Sequence, residues 1–117
     1  MEEEIVRRIS YLEWFAQKSN DKRCIEELAY LCIKINEPHC AFTLAKRIGR
    51  KDLFQKIFEN SLENGCLRLA ENVVEEMDEE KEKYYLRVLE KYIKAGWKDD
   101  AKRLARKIRY KINTQDF

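Results

Sequence analysis

Proline and glycine are scarce, with one Pro and three Gly in 117 residues. So few breakers leave little room for long irregular loops, and each one marks a turn. No 18-residue apolar run occurs, so no segment is expected to cross a membrane. No stretch alternates apolar and polar residues over several positions, which argues against half-buried strands. Net charge is almost absent: 24 basic residues against 22 acidic ones give +2, so bulk charge does not point to nucleic acid. A single histidine, His39, is present. A general base needs a positioned partner, and the sequence shows none for it. Gly-rich phosphate loops and nucleophile elbows are missing as well. The carboxylates Glu75, Glu76, Asp78, Glu79, Glu80 and Glu82 could attract a cation, but helix-end charge and solubility explain them more simply. The chain is therefore expected to be no enzyme and to carry no cofactor or metal. Its start, Met1-Glu2-Glu3-Glu4, has the wrong charge for a signal peptide, so the cytoplasm is the expected compartment.

Charged residues make up 39% of the chain and hydrophobic ones 44%, a blend that suits a thin, surface-rich assembly of helices. Abundant Lys and Glu beside few Gly, Pro and Gln also fit a thermophilic source. The four cysteines, Cys24, Cys32, Cys40 and Cys66, are spaced 8, 8 and 26 apart. Zinc sites favour close pairs such as C-x2-C, so these thiols are expected to pack as small buried hydrophobes. A disulfide is the alternative in a hyperthermophile.

A motif recurs three times. It reads Asn36-x4-Ala41-x2-Leu44-Ala45-x2-Ile48, then Gly65-x4-Ala70-x2-Val73-Val74-x2-Met77, then Gly96-x4-Ala101-x2-Leu104-Ala105-x2-Ile108. The beat is 29 and then 31 residues, which marks a repeat architecture. Upstream of each turn residue, apolar positions recur at offsets of three, seven, eight, eleven and twelve. They are Ile33, Ala29, Leu28, Ile25 and Cys24 in the first unit, Leu62, Phe58, Ile57, Phe54 and Leu53 in the second, and Ile93, Leu89, Val88, Tyr85 and Tyr84 in the third. Those offsets trace one helical stripe, and the Ala-Leu-Ala-Ile set traces a second. Each unit is predicted to be two amphipathic helices joined by a short turn.

A single all-α domain over 1–117 is therefore expected, with about seven helices and no strands. Residues 2–20 form an N-terminal helix or half-repeat; 22–50, 51–79 and 80–112 are hairpins; 113–117 is a tail. Asp21 is expected to cap the second helix and Asp52 the fourth. Pro38 suits the first turn of the third, and the carboxylates 78–82 are expected to open the sixth. The seventh helix is predicted to run to about Lys111.

The spacing resembles that of tetratricopeptide repeats. The third unit, Tyr85-x2-Val88-Leu89-x2-Tyr92-x3-Gly96-x4-Ala101-x3-Ala105-x2-Ile108, carries the likeness best, and it extends over 22–112. The resemblance implies a right-handed stack of antiparallel helix pairs, an α-α superhelix, acting as a protein-binding scaffold. It implies a groove lined by the first helix of each unit. The groove-facing residues would be Arg23, Glu26 and Tyr30, then Asp52, Gln55 and Glu59, then Lys83, Leu86, Arg87 and Glu90. Lys83 and Arg87 also match the place where some members hold a partner's C-terminal carboxylate, though Glu26 and Tyr30 replace the rest of that clamp.

Two other partner classes are open. Lys98, Lys102, Arg106 and Arg109 recur at spacings of four, four and three, a basic ridge suited to phosphates, with Trp97 and Tyr110 at its ends. The same charges also suit the negative end of a terminal helix. Self-association through Trp14, Trp97 and Phe117 is the third possibility.

Overall fold

The structure, a computed structural model, describes residues 2–19 and 21–109, with side chains at 3–14 and 21–109. Among the described residues seven α-helices follow one another: α1 Glu2–Ser19, α2 Lys22–Lys34, α3 Pro38–Arg47, α4 Phe54–Glu63, α5 Leu67–Glu75, α6 Lys81–Ala95 and α7 Lys98–Lys107. A 3-10 turn, Lys51–Leu53, leads into α4. The described residues contain no strand, and no helix among them is long and apolar enough to cross a membrane.

Short turns force each helix to pack against the next in sequence. Contacts also join α2 to α4 and α3 to α5, so each hairpin touches its neighbour. The chain measures 51 × 29 × 17 Å with a radius of gyration of 16.4 Å. A compact body of this length would have a radius of gyration of about 13 Å. The elongation follows from helices that contact only near neighbours.

The turn after the first helix of every unit has one geometry. Residues Asn36, Gly65 and Gly96 all adopt left-handed φ, at 63°, 73° and 76°. The next residue's N–H donates back five positions: Glu37 to Cys32 at 2.8 Å, Cys66 to Ser61 at 2.8 Å and Trp97 to Tyr92 at 2.9 Å. The turn residue itself donates to Ile33, Leu62 or Ile93. This pair of bonds is the Schellman cap, which satisfies two carbonyls that a helix end would otherwise leave bare. Gly49 and Arg50 close α3 in the same way.

Both stripes face the core, with Ile33, Leu44, Ile48, Ile93 and Ile108 only partly buried at its edge. Exposure is 0% at Ala41, Ala70 and Ala101, each the fourth residue of its helix. Leu28, Ala29, Ile57, Phe58, Val88 and Leu89 are all at or below 2%. Aromatic pairs tie the units: Phe42 meets Phe54 edge-on at 5.4 Å, and Phe58 meets Tyr84 at 5.0 Å.

Asp21 does cap α2, its Oδ1 accepting from the Arg23 N–H at 2.8 Å, and Pro38 opens α3. Three expectations change. Asp52 does not cap α4. It lies inside the 3-10 turn with its carboxylate turned to Arg50, because that guanidinium offers two donors where the backbone offers one. Asp78, Glu79 and Glu80 lie before α6 rather than in it, and Glu80 takes a left-handed φ of 58° that breaks the helix there. Helix α7 ends at Lys107, with Arg109 beyond it at φ 55°. Tyr110, Phe117 and the 113–117 tail lie outside the described residues.

Candidate functional site

The first helices of the units, α2, α4 and α6, present the residues that sequence spacing singled out. Phe54, Ile57, Phe58 and Ser61 turn inward on α4. Helical period then leaves Gln55, Lys56, Glu59 and Glu63 on its outer side. An open depression of about 510 Å³ lies over that side, lined by Ile33 of α2 and by Gln55, Lys56, Glu59, Asn60 and Glu63. A second, of about 370 Å³, is lined by Lys51, Asp52, Phe54, Gln55, Met77, Asp78, Glu79, Glu80 and Tyr84. Gln55 borders both.

Several expected groove residues bind each other. Arg50 gathers three of them, donating to Asp52 through Nε and Nη2 at 2.8 Å each and to the Tyr30 hydroxyl at 3.2 Å. Its Nη1 also lies 2.7 Å from Glu26. Farther along, Arg87 of α6 grips Glu59 of α4 with a two-pronged bond, Nη2 to Oε2 at 2.8 Å and Nη1 to Oε1. The same guanidinium stacks 5.2 Å over the Phe58 ring. The Arg87 hydrogen bond holds the Glu59 carboxyl below its ordinary range, against the opposing effect of burial. Arg87 is thus already occupied by a carboxylate of its own chain, which leaves Lys83 alone in the clamp position. Lys83 lies 3.8 Å from Glu80, and Glu90 lies 3.2 Å from Lys94, both on the surface. Such exposed pairs exchange readily with water. Arg23 and Gln55 are exposed, and Leu86 is half-buried.

All the basic residues of α7 are exposed to some degree, and two of them also reach carboxylates of α5. Arg103 and Lys107 turn toward α5: Arg103 donates to Glu71 at 2.6 and 2.7 Å, and Lys107 meets Glu75. Lys98, Lys102, Arg106 and Arg109 are exposed. The helix carries only the first three, since Arg109 lies past its end. Trp97 stacks on Tyr92 at 5.8 Å and remains 42% exposed. Trp14 of α1 is 56% exposed, and Val6 and Tyr11 on the same helix are 53% exposed each. His39 is exposed on the first turn of α3, where its carbonyl accepts from the Thr43 hydroxyl at 3.0 Å.

Two features have no signature in the spacing alone. Arg50, which organises Glu26, Tyr30 and Asp52, sits in a turn outside both stripes. Glu71 is 3% exposed, yet it carries a charge. Burial pushes its carboxyl up, but Arg103 and Tyr92 hydrogen bonds outweigh that and hold it below the ordinary value. The one available hint was the distance of 32 residues from Glu71 to Arg103, close to the repeat beat. No family model, curated protein or solved structure matches the chain.

Proposed function

We propose that the chain is a right-handed stack of helical hairpins of the tetratricopeptide kind. In this reading it works in the cytoplasm as a scaffold, holding a peptide or protein segment along α2, α4 and α6. One observation carries the reading: the two depressions share Gln55 and together run from Ile33 on α2, across α4, to Tyr84 on α6. Contacts between units add support because they recur at the repeat distance. Glu59 and Arg87 are 28 residues apart, Arg68 and Asp100 are 32, and Glu75 and Lys107 are 32. A floor whose charges are paired internally is pre-organised, which lowers the ordering cost of binding. Discrimination then falls to Gln55, which borders both depressions, and to Lys56 and Glu63 beside it.

The test is selection of binders from a displayed peptide library, followed by affinity measurement on the triple variant Gln55→Arg, Lys56→Glu, Glu63→Lys. Affinity is expected to fall at least about tenfold, a loss of 1.4 kcal/mol, with helicity unchanged. Equal affinity in the variant would remove the groove from consideration.

The spacing of four between exposed basic residues on α7 favours a second reading, nucleic-acid binding by Lys98, Lys102 and Arg106. Its sign would be binding that weakens steeply with salt, and that is lost when Lys102 and Arg106 become Glu. An unshifted nucleic acid at low salt would end it.

A further inference from the structure

The thiols of Cys32 and Cys40 meet across the first hairpin. Cys32 stands near the end of α2 and Cys40 near the start of α3, and the Cys32 S–H donates to Cys40 Sγ at 3.0 Å. The Schellman turn at Asn36 brings them together, since Glu37 N–H bonds back to the Cys32 carbonyl itself. The same turn recurs in the other two units, where the matching positions carry Ser61 with Leu69 and Tyr92 with Asp100. Only the first unit places two sulfurs there. The other cysteines have different surroundings: Cys24 donates to the Leu12 carbonyl, and Cys66 to the Asn64 carbonyl.

We propose that Cys32 and Cys40 form a redox-active dithiol site that closes to an intramolecular disulfide by exchange with a small-molecule disulfide. Cys40 is the half-exposed member and reacts first, whereas Cys32 is 2% exposed. The Cys40 thiolate attacks one sulfur of the small disulfide, forming a mixed disulfide and releasing one small thiolate. Cys32 then gives its proton to solvent and attacks Cys40 Sγ, breaking the mixed bond and releasing the second small thiolate. Two electrons pass from the protein thiols to the small disulfide, which leaves as two thiols. Burial pushes the Cys32 thiol up, as do its bond to Cys40 and the nearby carboxylates Glu13 and Glu37. Cys32 is therefore suited to the second, intramolecular step, where proximity compensates for a small thiolate fraction. The closed bridge would staple α2 to α3 across eight residues.

The test uses the full chain incubated with oxidised glutathione. Intact mass is expected to fall by two hydrogens, and tryptic peptides 24–34 and 35–46 are expected to be disulfide-linked, with fragmentation assigning the link to Cys32. Tm should rise by roughly 5–10 °C, the shift a short covalent loop gives in a domain of this size. Cys40→Ser should abolish the bridge, while Cys24→Ser and Cys66→Ser should retain it. A stable glutathione adduct on Cys40 that never resolves would overturn the proposal. So would a linked pair of the same yield in Cys32→Ala. Circular dichroism of each variant separates a lost thiol from a lost fold.

Discussion

Arg103 of α7 holds the carboxylate of Glu71 on α5 with two hydrogen bonds, at 2.6 and 2.7 Å, although Glu71 is only 3% exposed. Tyr92 of α6, fully buried, donates its hydroxyl to the same carboxylate at 2.9 Å. One charged group thereby joins three helices. Lys107 also stands 3.7 Å from this carboxylate, so removing Arg103 leaves it under-bonded in the core, which still costs more than the pair itself contributes. Arg103→Ala is therefore expected to destabilise the fold by about 2–3 kcal/mol, below the cost of about 3–5 kcal/mol for breaking a fully buried pair, because Lys107 and Tyr92 stay in place and Arg103 is itself 42% exposed. Glu71→Gln should cost less, since its amide oxygen still accepts from Tyr92 and no charge is stranded. Urea unfolding of both variants checks the order.

Acid should weaken the structure through the same group. Glu71 is held below its ordinary value of 4.5 in the folded chain, where its bonds to Arg103 and Tyr92 outweigh burial. Glu59 is held down by Arg87, Asp52 by Arg50, and Asp100 by Arg68 and Arg103 against burial. A carboxyl with a depressed folded value binds fewer protons folded than unfolded, so its contribution is present above the unfolded value. It is lost as pH falls through the folded one. Tm should hold from neutrality to about pH 5 and then decline. Thermal melts of Glu71→Gln across that window should give a shallower decline.

The alanines at the centre of the second stripe permit no enlargement. Ala41, Ala70 and Ala101 are each 0% exposed. Leucine at any of them must push the facing helix away, at a cost of about 1–3 kcal/mol. The three penalties should be similar, because each alanine sits at the same place after the same turn. A single intolerant position among tolerant ones, read by denaturant midpoint, would count against that equivalence.

Turn chemistry separates two substitutions that look alike. Gly96→Ala meets no neighbouring atom but must hold φ at 76°, so backbone strain alone should cost about 1 kcal/mol. Asn36→Gly relieves such strain yet removes the acceptor of the Asn60 Nδ2 bond at 2.9 Å. Asn60 is 9% exposed, and its Oδ1 already lacks a partner. Losing its other bond should make Asn36→Gly a net loss of about 1 kcal/mol. Chemical denaturation of the two variants, against the parent, decides both signs.

Helices, turns and buried stripes were legible because they depend on residues three to five apart. The offsets at Leu28, Ile57 and Val88 announce an inward face without knowledge of what covers it, and all three prove buried. Gly65 and Gly96 announce left-handed turns because few other residues adopt that φ without strain. The groove residues were harder. Glu59 and Arg87 were legible as exposed-side positions, but their grip on each other was not. Asp52 looked like a cap from its place before an apolar run, and Arg50 two residues earlier outcompeted the backbone for it.

Sequence alone thus determined the all-α class, the places of the turns and most of the core, because backbone preference and side-chain period act within a single helix. Tertiary structure alone decided which charges meet: Glu71 with Arg103, Glu59 with Arg87, Arg50 with Glu26, and the thiols of Cys32 and Cys40. Those contacts need a given rotation and offset between packed helices. Hydrogen bonds fade within a fraction of an ångström, so no one-dimensional spacing can specify them.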